Sequence, residues 1–175
     1  FLDGLEDAYE EGRLMGTFAE DTATHYQFTR EQQDTFAIES LNRAKKAVED
    51  GTFKAEIEPV MVATRQGDVT VDTDEQPRNA NIDKIPTLKP AFRKDGTVTP
   101  ANSSSISDGA AALVLMKRSE ADRRGLNPLA VIRAHATHAG APAWFTTAPI
   151  GCIEKVQGKA GWDKNAVDLF EINEA

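Results

Sequence analysis

Three apolar runs in the second half of the chain limit its fold most. They are Ala110 to Met116, the stretch LAVIRAHATHAG from Leu129, and the closing Asp168 to Ile172. Each reads as a buried strand. Between them lie two helical segments, one capped by Ser119 and closed by Gly125, the other starting at Pro149 and running to Gly161. Strands that alternate with helices predict an α/β sheet covered on its faces.

The first half predicts a smaller α+β excursion. Thr29 stands three residues before Gln32, the spacing of a capping box. The helix that follows places Phe36, Ser40, Leu41, Ala44 and Val48 on one face and ends at Gly51. A shorter helix is expected over Thr17 to Gln27, after a turn at Met15-Gly16. A strand is expected from Ile57, and a second follows a turn at Gly67-Asp68. From Gln76 to Pro100 the chain is rich in Pro, Asn, Lys and Asp with little periodicity. So long an irregular segment predicts a functional loop.

Composition excludes several classes of partner. A formal net charge of -8 argues against nucleic acid or an anionic membrane surface, and Lys45-Lys46 and Arg123-Arg124 are isolated pairs that read as solvated helix faces. No apolar run reaches the roughly 18 residues that would span a bilayer. Phe1 to Gly4 reads as a mid-domain segment, with no secretory signal ahead of it. The single cysteine, Cys152, leaves no internal disulfide and favours a reducing compartment, so a cytoplasmic or organelle-matrix protein is expected. In APIGCIEKV, Cys152 reads as a buried small apolar residue. His135 and His138 lie on a strand-like stretch without a carboxylate at metal-ligand spacing, and no metal is expected.

Several stretches together resemble the thiolase family, of the acetyl-CoA acetyltransferase type. They are RLMGTFAEDTA from Arg13, FTREQQDTFAIES from Phe28, GDVTVDTDE from Gly67, KPAFRKDGTVTPANSSSISDGAAALVLM from Lys89, and AGWDKNAVDLFEINEA from Ala160. They occur in family order and cover nearly the whole chain. The resemblance implies a thiolase-like α/β fold, present in part, with a layered α/β core and an inserted α+β loop domain. Residues 1–100 would be the loop domain that binds substrate, with the end of the N-terminal half at its start. Residues 101–125 would be the last strand and helix of that half, and residues 126–175 the start of the C-terminal half.

The implied reaction is a reversible Claisen condensation of two acetyl-CoA molecules, or thiolysis of a 3-ketoacyl-CoA, through a cysteine thioester. Coenzyme A and acyl-CoA would be substrates, and no further cofactor is implied. The family's nucleophilic cysteine, its activating Gly-His-Pro histidine and its second cysteine match no position in this sequence, so the 175 residues alone are expected to be inactive. Asn173, at the end of the last apolar run, would orient a water belonging to an oxyanion hole. An asparagine amide can do this because it donates two N–H groups and does not titrate. Taken without its surroundings, the same residue reads equally as a helix cap. Glu174 reads either as a structural carboxylate or as a partner of the site.

For coenzyme A, Arg78 matches the family position at the nucleotide end, and Lys84 falls close by in the same loop. Met15 and Phe92 would line the pantetheine tunnel, Ser104 would bond the pantetheine, and Ala175 would complete the substrate contacts. Leu14 stands where many acetoacetyl-CoA thiolases carry a histidine, which removes a polar contact near the acyl end and leaves room for a different acyl pocket. A homo-oligomer, dimer or tetramer, is implied for the full-length protein. Two rival readings remain: a non-catalytic thiolase-like binder of acyl-CoA or lipid, and an interaction module whose loop serves oligomer contacts.

Overall fold

A computed structural model describes residues 4–174. The chain divides into two compact units, residues 1–103 and 104–175.

The first unit is built on two helices whose ends follow from local chemistry. α1 (Met15–His25) stops where Gln27 turns into the left-handed region at φ 57°. There the Phe28 N–H reaches the Ala23 carbonyl and the Gln27 N–H reaches that of Thr24, a Schellman closure made without glycine. α2 (Arg30–Glu49) opens with the expected capping box between Thr29 and Gln32. It ends at Gly51, whose φ of 67° lets the Thr52 N–H return to the Ala47 carbonyl. The buried face of α2 differs from the expected one. Asp34 and Ala37 are buried, Leu41, Ala44 and Val48 are half-buried, and Phe36 is 62% exposed.

β1 (Val60–Thr64) and β2 (Gly67–Val71) form an antiparallel hairpin. Its turn is Arg65-Gln66, two residues ahead of the expected Gly67-Asp68, because Gly67 already pairs with Thr64. The register places Val60, Val62, Val69 and Val71 on one face. The stretch after the hairpin is more regular than its composition suggested. α3 (Glu75–Asn79) is followed by a 3-10 helix at Ile82–Thr87, and Ile85 from this segment joins Phe18, Ala23, Ala37, Val98 and Thr99 in the buried core.

In the second unit α4 (Arg118–Arg123) begins with Lys117 at its N-cap position, so Ser119 lies inside the helix rather than capping it. α5 (Ala148–Ala160) matches the expected helix and closes at Gly161, φ 68°. The three apolar runs, however, carry no sheet ladder among the described residues. Leu113 and Val114 are 84% and 86% exposed, and Leu169 is 88% exposed. Apolarity marks a segment that could enter a sheet, but a strand forms only where a neighbour takes its N–H and C=O groups. The described residues supply no such neighbour for these runs.

Candidate functional site

Within the first unit, α1 carries the loop over residues 91–98. The Ala91 N–H donates to the Val98 carbonyl at 2.8 Å and closes the loop on itself. Its Phe92 ring packs on Gly16, the second residue of α1. The ring atoms lie 2.2–2.3 Å from where a Cβ at residue 16 would stand. Met15 precedes Gly16 on α1, and Met15 and Phe92, the two residues expected in one tunnel, are both half-buried. Leu14, the departure from the family pattern, is the N-cap residue of α1 and makes no side-chain capping bond.

Charge fixes the same loop at a second point. The Arg93 guanidinium donates from Nη2 to Asp21 Oδ1 at 2.7 Å and to the Thr17 carbonyl at 3.2 Å. Arg13 donates to the other Asp21 oxygen at 2.7 Å, and its guanidinium lies 3.8 Å above the centre of the Phe18 ring. The Arg93 hydrogen bond, with Arg13 adding to it, holds the Asp21 carboxyl below its ordinary range. Glu20, on the neighbouring row of α1, is buried and accepts from the backbone N–H groups of Thr97 and Val98.

The segment after the loop is tied down by amide chemistry. Asn102 Oδ1 accepts from the Thr99 N–H at 2.7 Å, while Nδ2 donates to the Thr97 carbonyl and to Gln33 Oε1. Gln33 in turn donates to Thr97 Oγ1, and Thr99 is fully buried. Sequence reading missed Glu20, Gln33 and Asn102 as organisers of the site. The available signal was the run of small polar residues TVTPAN, too apolar-poor for a strand and too free of charge for an ordinary surface loop.

Arg78 closes the last turn of α3 and Lys84 lies in the 3-10 helix, both exposed. Their backbone is held on α2. Lys45 Nζ donates to the Ala80 carbonyl at 3.0 Å, and Arg30, bonded through Nε to both Asp34 oxygens, donates from Nη2 to the Ile85 carbonyl at 2.9 Å. The two cations thus stand on turns whose backbone is tied to α2.

In the second unit the Ser104 hydroxyl donates to the Glu174 carbonyl at 3.3 Å. That bond sets Ser104 beside the chain segment that carries Asn173, and both residues are exposed. Ala175 lies outside the described residues. Cys152 is half-buried rather than buried, and its thiol donates to the Ala136 carbonyl at 3.3 Å. The reason is its place on α5, which lies along the run from Leu129. Lys155 and Lys159 donate to the carbonyls of Thr137 and His135, and the His138 ring fills the space beside Gly151. A groove of about 360 Å³ lies on this unit, with Val131, Val156, Trp162, Leu169 and Phe170 among the residues that line it.

Among the described residues no helix is long and apolar enough to cross a membrane.

Comparison with known proteins accounts for this arrangement. The thiolase N-terminal domain matches residues 1–119 and the thiolase C-terminal domain matches residues 126–175. A probable acetyl-CoA acetyltransferase of Dictyostelium discoideum is 50% identical over 174 residues, which are 99% of this chain and 42% of that protein. The mouse protein named acetyl-CoA acetyltransferase, cytosolic, is 48% identical over 99% of this chain and 44% of its own length. The crystal structure of the Bacillus anthracis acetyl-CoA acetyltransferase superposes with a TM-score of 0.92 at 40% identity, over 99% of this chain and 44% of that one. The chain spans less than half the length of the curated relatives it matches. With both thiolase domains matched in order and a thiolase-like backbone throughout, the chain belongs to the thiolase family.

Proposed function

We propose that the protein carrying this chain is an acyl-CoA C-acyltransferase. It would condense two acetyl-CoA molecules to acetoacetyl-CoA and CoA, or run the reverse thiolysis, through a cysteine thioester. The observation that carries this reading is membership of the thiolase family, with both of its domains matched in order. Phe92 packs on Gly16, the residue that follows Met15, and Ser104 bonds the backbone beside Asn173. Arg78 and Lys84 would take the nucleotide phosphates. Phe92 and Met15 would flank the pantetheine arm, and Ser104 would bond its amide groups.

In the condensation a carbanion forms next to the second thioester, and its charge falls on the thioester oxygen. Asn173 would hold a water against that oxygen with its amide N–H groups, which need no proton change during the reaction. The nucleophile, the activating histidine and the second cysteine would come from residues other than these 175. Cys152, bonded to a backbone carbonyl beside α5, is a structural thiol in this scheme. We also read the protein as cytoplasmic, in keeping with the mouse relative named as cytosolic, and as a homo-oligomer.

The test is an assay of the whole protein for CoA-dependent cleavage of acetoacetyl-CoA, run beside the 175-residue chain. Activity in the whole protein and none in the chain is expected. A whole protein that binds acyl-CoA without cleaving or condensing it would establish the non-catalytic alternative.

A further inference from the structure

We propose that Glu20 is a positioning residue of the acyl-CoA site: its buried carboxylate locks the 91–98 loop onto α1 and thereby sets Phe92. The inference rests on the reading of Phe92 as a wall of the substrate tunnel. Glu20 is 3% exposed. Its carboxylate accepts the Thr97 N–H at 2.9 Å on each oxygen, the Val98 N–H at 2.9 Å, and the Thr97 hydroxyl at 3.2 Å. All of these donors are neutral. Successive backbone N–H groups converge on the carboxylate, as they do in anion-binding nests. Here the chain fills the nest with its own side chain.

The steric fit is equally specific. A Cβ at residue 96 would stand 2.1 Å from Glu20 Oε1, so only glycine lets the loop backbone come down onto the carboxylate. Gly16 and Glu20 are one turn apart on the same row of α1. The loop therefore touches that row twice, by Phe92 on Gly16 and by its 96–98 backbone on Glu20, and the Ala91–Val98 hydrogen bond joins the two contacts. Release of the second contact leaves Phe92 on a loop with one anchor fewer. Glu20 itself, being buried, never meets the substrate, so its effect falls on binding rather than on the reacting carbon.

The test uses the whole protein and the variants Glu20→Gln and Gly96→Ala. An amide at position 20 keeps the volume but turns one acceptor into a donor, which then faces the N–H groups of the loop. Hydrogen exchange in peptides covering residues 91–98 should quicken about tenfold while α2 keeps its protection, and KM for acetoacetyl-CoA should rise about tenfold with kcat within about threefold. The double variant should be no worse than the worse single one, because both changes break one contact. If Glu20→Gln does not fold, Gly96→Ala, which keeps the carboxylate, must show the same two effects. Unchanged loop exchange, or a freed loop with unchanged KM, would overturn the proposal. A wild-type protein without thiolysis overturns the functional reading and the substrate-positioning role together, while the exchange data still decide whether the clamp exists.

Discussion

The Phe92 ring lies across Gly16 so closely that its Cε2 is 2.2 Å from the place a Cβ at residue 16 would take. Gly16 sits inside a helix, where glycine is a poor choice on propensity alone, and at an open helical position Gly→Ala stabilises by about 0.4–1 kcal/mol. Here the added carbon meets an aromatic ring, and overpacking of this kind costs about 1–3 kcal/mol. The second term outweighs the first. Gly16→Ala should therefore lower the urea midpoint and raise KM for the CoA substrate as the ring is displaced. A variant more stable than the parent would show that the ring moves aside freely.

Asp21 couples the same loop to α1 through charge. Its carboxyl is held below the ordinary value of 3.8, first by the Arg93 hydrogen bond and then by Arg13. A depressed folded-state value means that the bridge stabilises in full above 3.8 and is lost as pH falls through the lower, folded value. Asp21→Asn should thus be less stable than the parent at neutral pH, and the gap between their urea midpoints should close in steps below 3.8. Because the Asp21 side chain is 35% exposed, the gap should also shrink with added salt. A gap that is constant with pH would assign the effect to packing.

Which features could be read from the sequence follows from how far apart their causes lie in the chain. α2 was legible because Thr29, Gln32 and Gly51 set its ends within the helix's own residues. Its buried face was not, since that face is chosen by the 82–87 segment, which Arg30 clips on through the Ile85 carbonyl, so Phe36 points to solvent. The contact of Glu20 with Thr97 spans 77 positions and leaves no periodic trace. Met15, Phe92, Ser104 and Asn173 were singled out by family pattern alone, because a short motif fixes residue identity before any contact is known. The three apolar runs were legible as strand material but not as strands, since pairing is a property of the neighbour.

Leu113, Val114, Ile132 and Leu169 are each at least 70% exposed, and their segments pair with no strand among the described residues. Such edges recruit other chains. The 175-residue chain should run in light scattering as a concentration-dependent associated species, and a monodisperse monomer at all concentrations would show that the runs are protected in solution.

Arg78 stands exposed on the last turn of α3, on backbone held by Lys45 at the Ala80 carbonyl. A contact to the nucleotide end is equally present before and during the reaction, so it changes binding without changing turnover. In the whole protein, Arg78→Ala should raise KM for CoA substrates about 10- to 150-fold, as loss of one charge-assisted contact does, with kcat nearly constant. A fall in kcat at constant KM would place Arg78 nearer the chemistry than the proposed nucleotide contact implies.

Asn173 calls for the opposite split. It lies beside Glu174, whose carbonyl takes the Ser104 hydroxyl, so its backbone is held next to the proposed pantetheine contact. If its amide holds a water on the thioester oxygen of the attacking acetyl-CoA, Asn173→Ala removes stabilisation that exists only while the carbanion forms. Loss of a direct oxyanion donor costs about 100- to 1,000-fold in rate. A donor acting through water should fall at or below the lower end of that range. Acyl transfer from acetyl-CoA to the enzyme involves no carbanion and should be much less affected. Rapid-quench measurement of acyl-enzyme formation, set against steady-state condensation, separates the two steps. Equal losses in both would mean that Asn173 supports the fold of the site as a whole, and condensation at the parent rate would return it to the role of a helix cap.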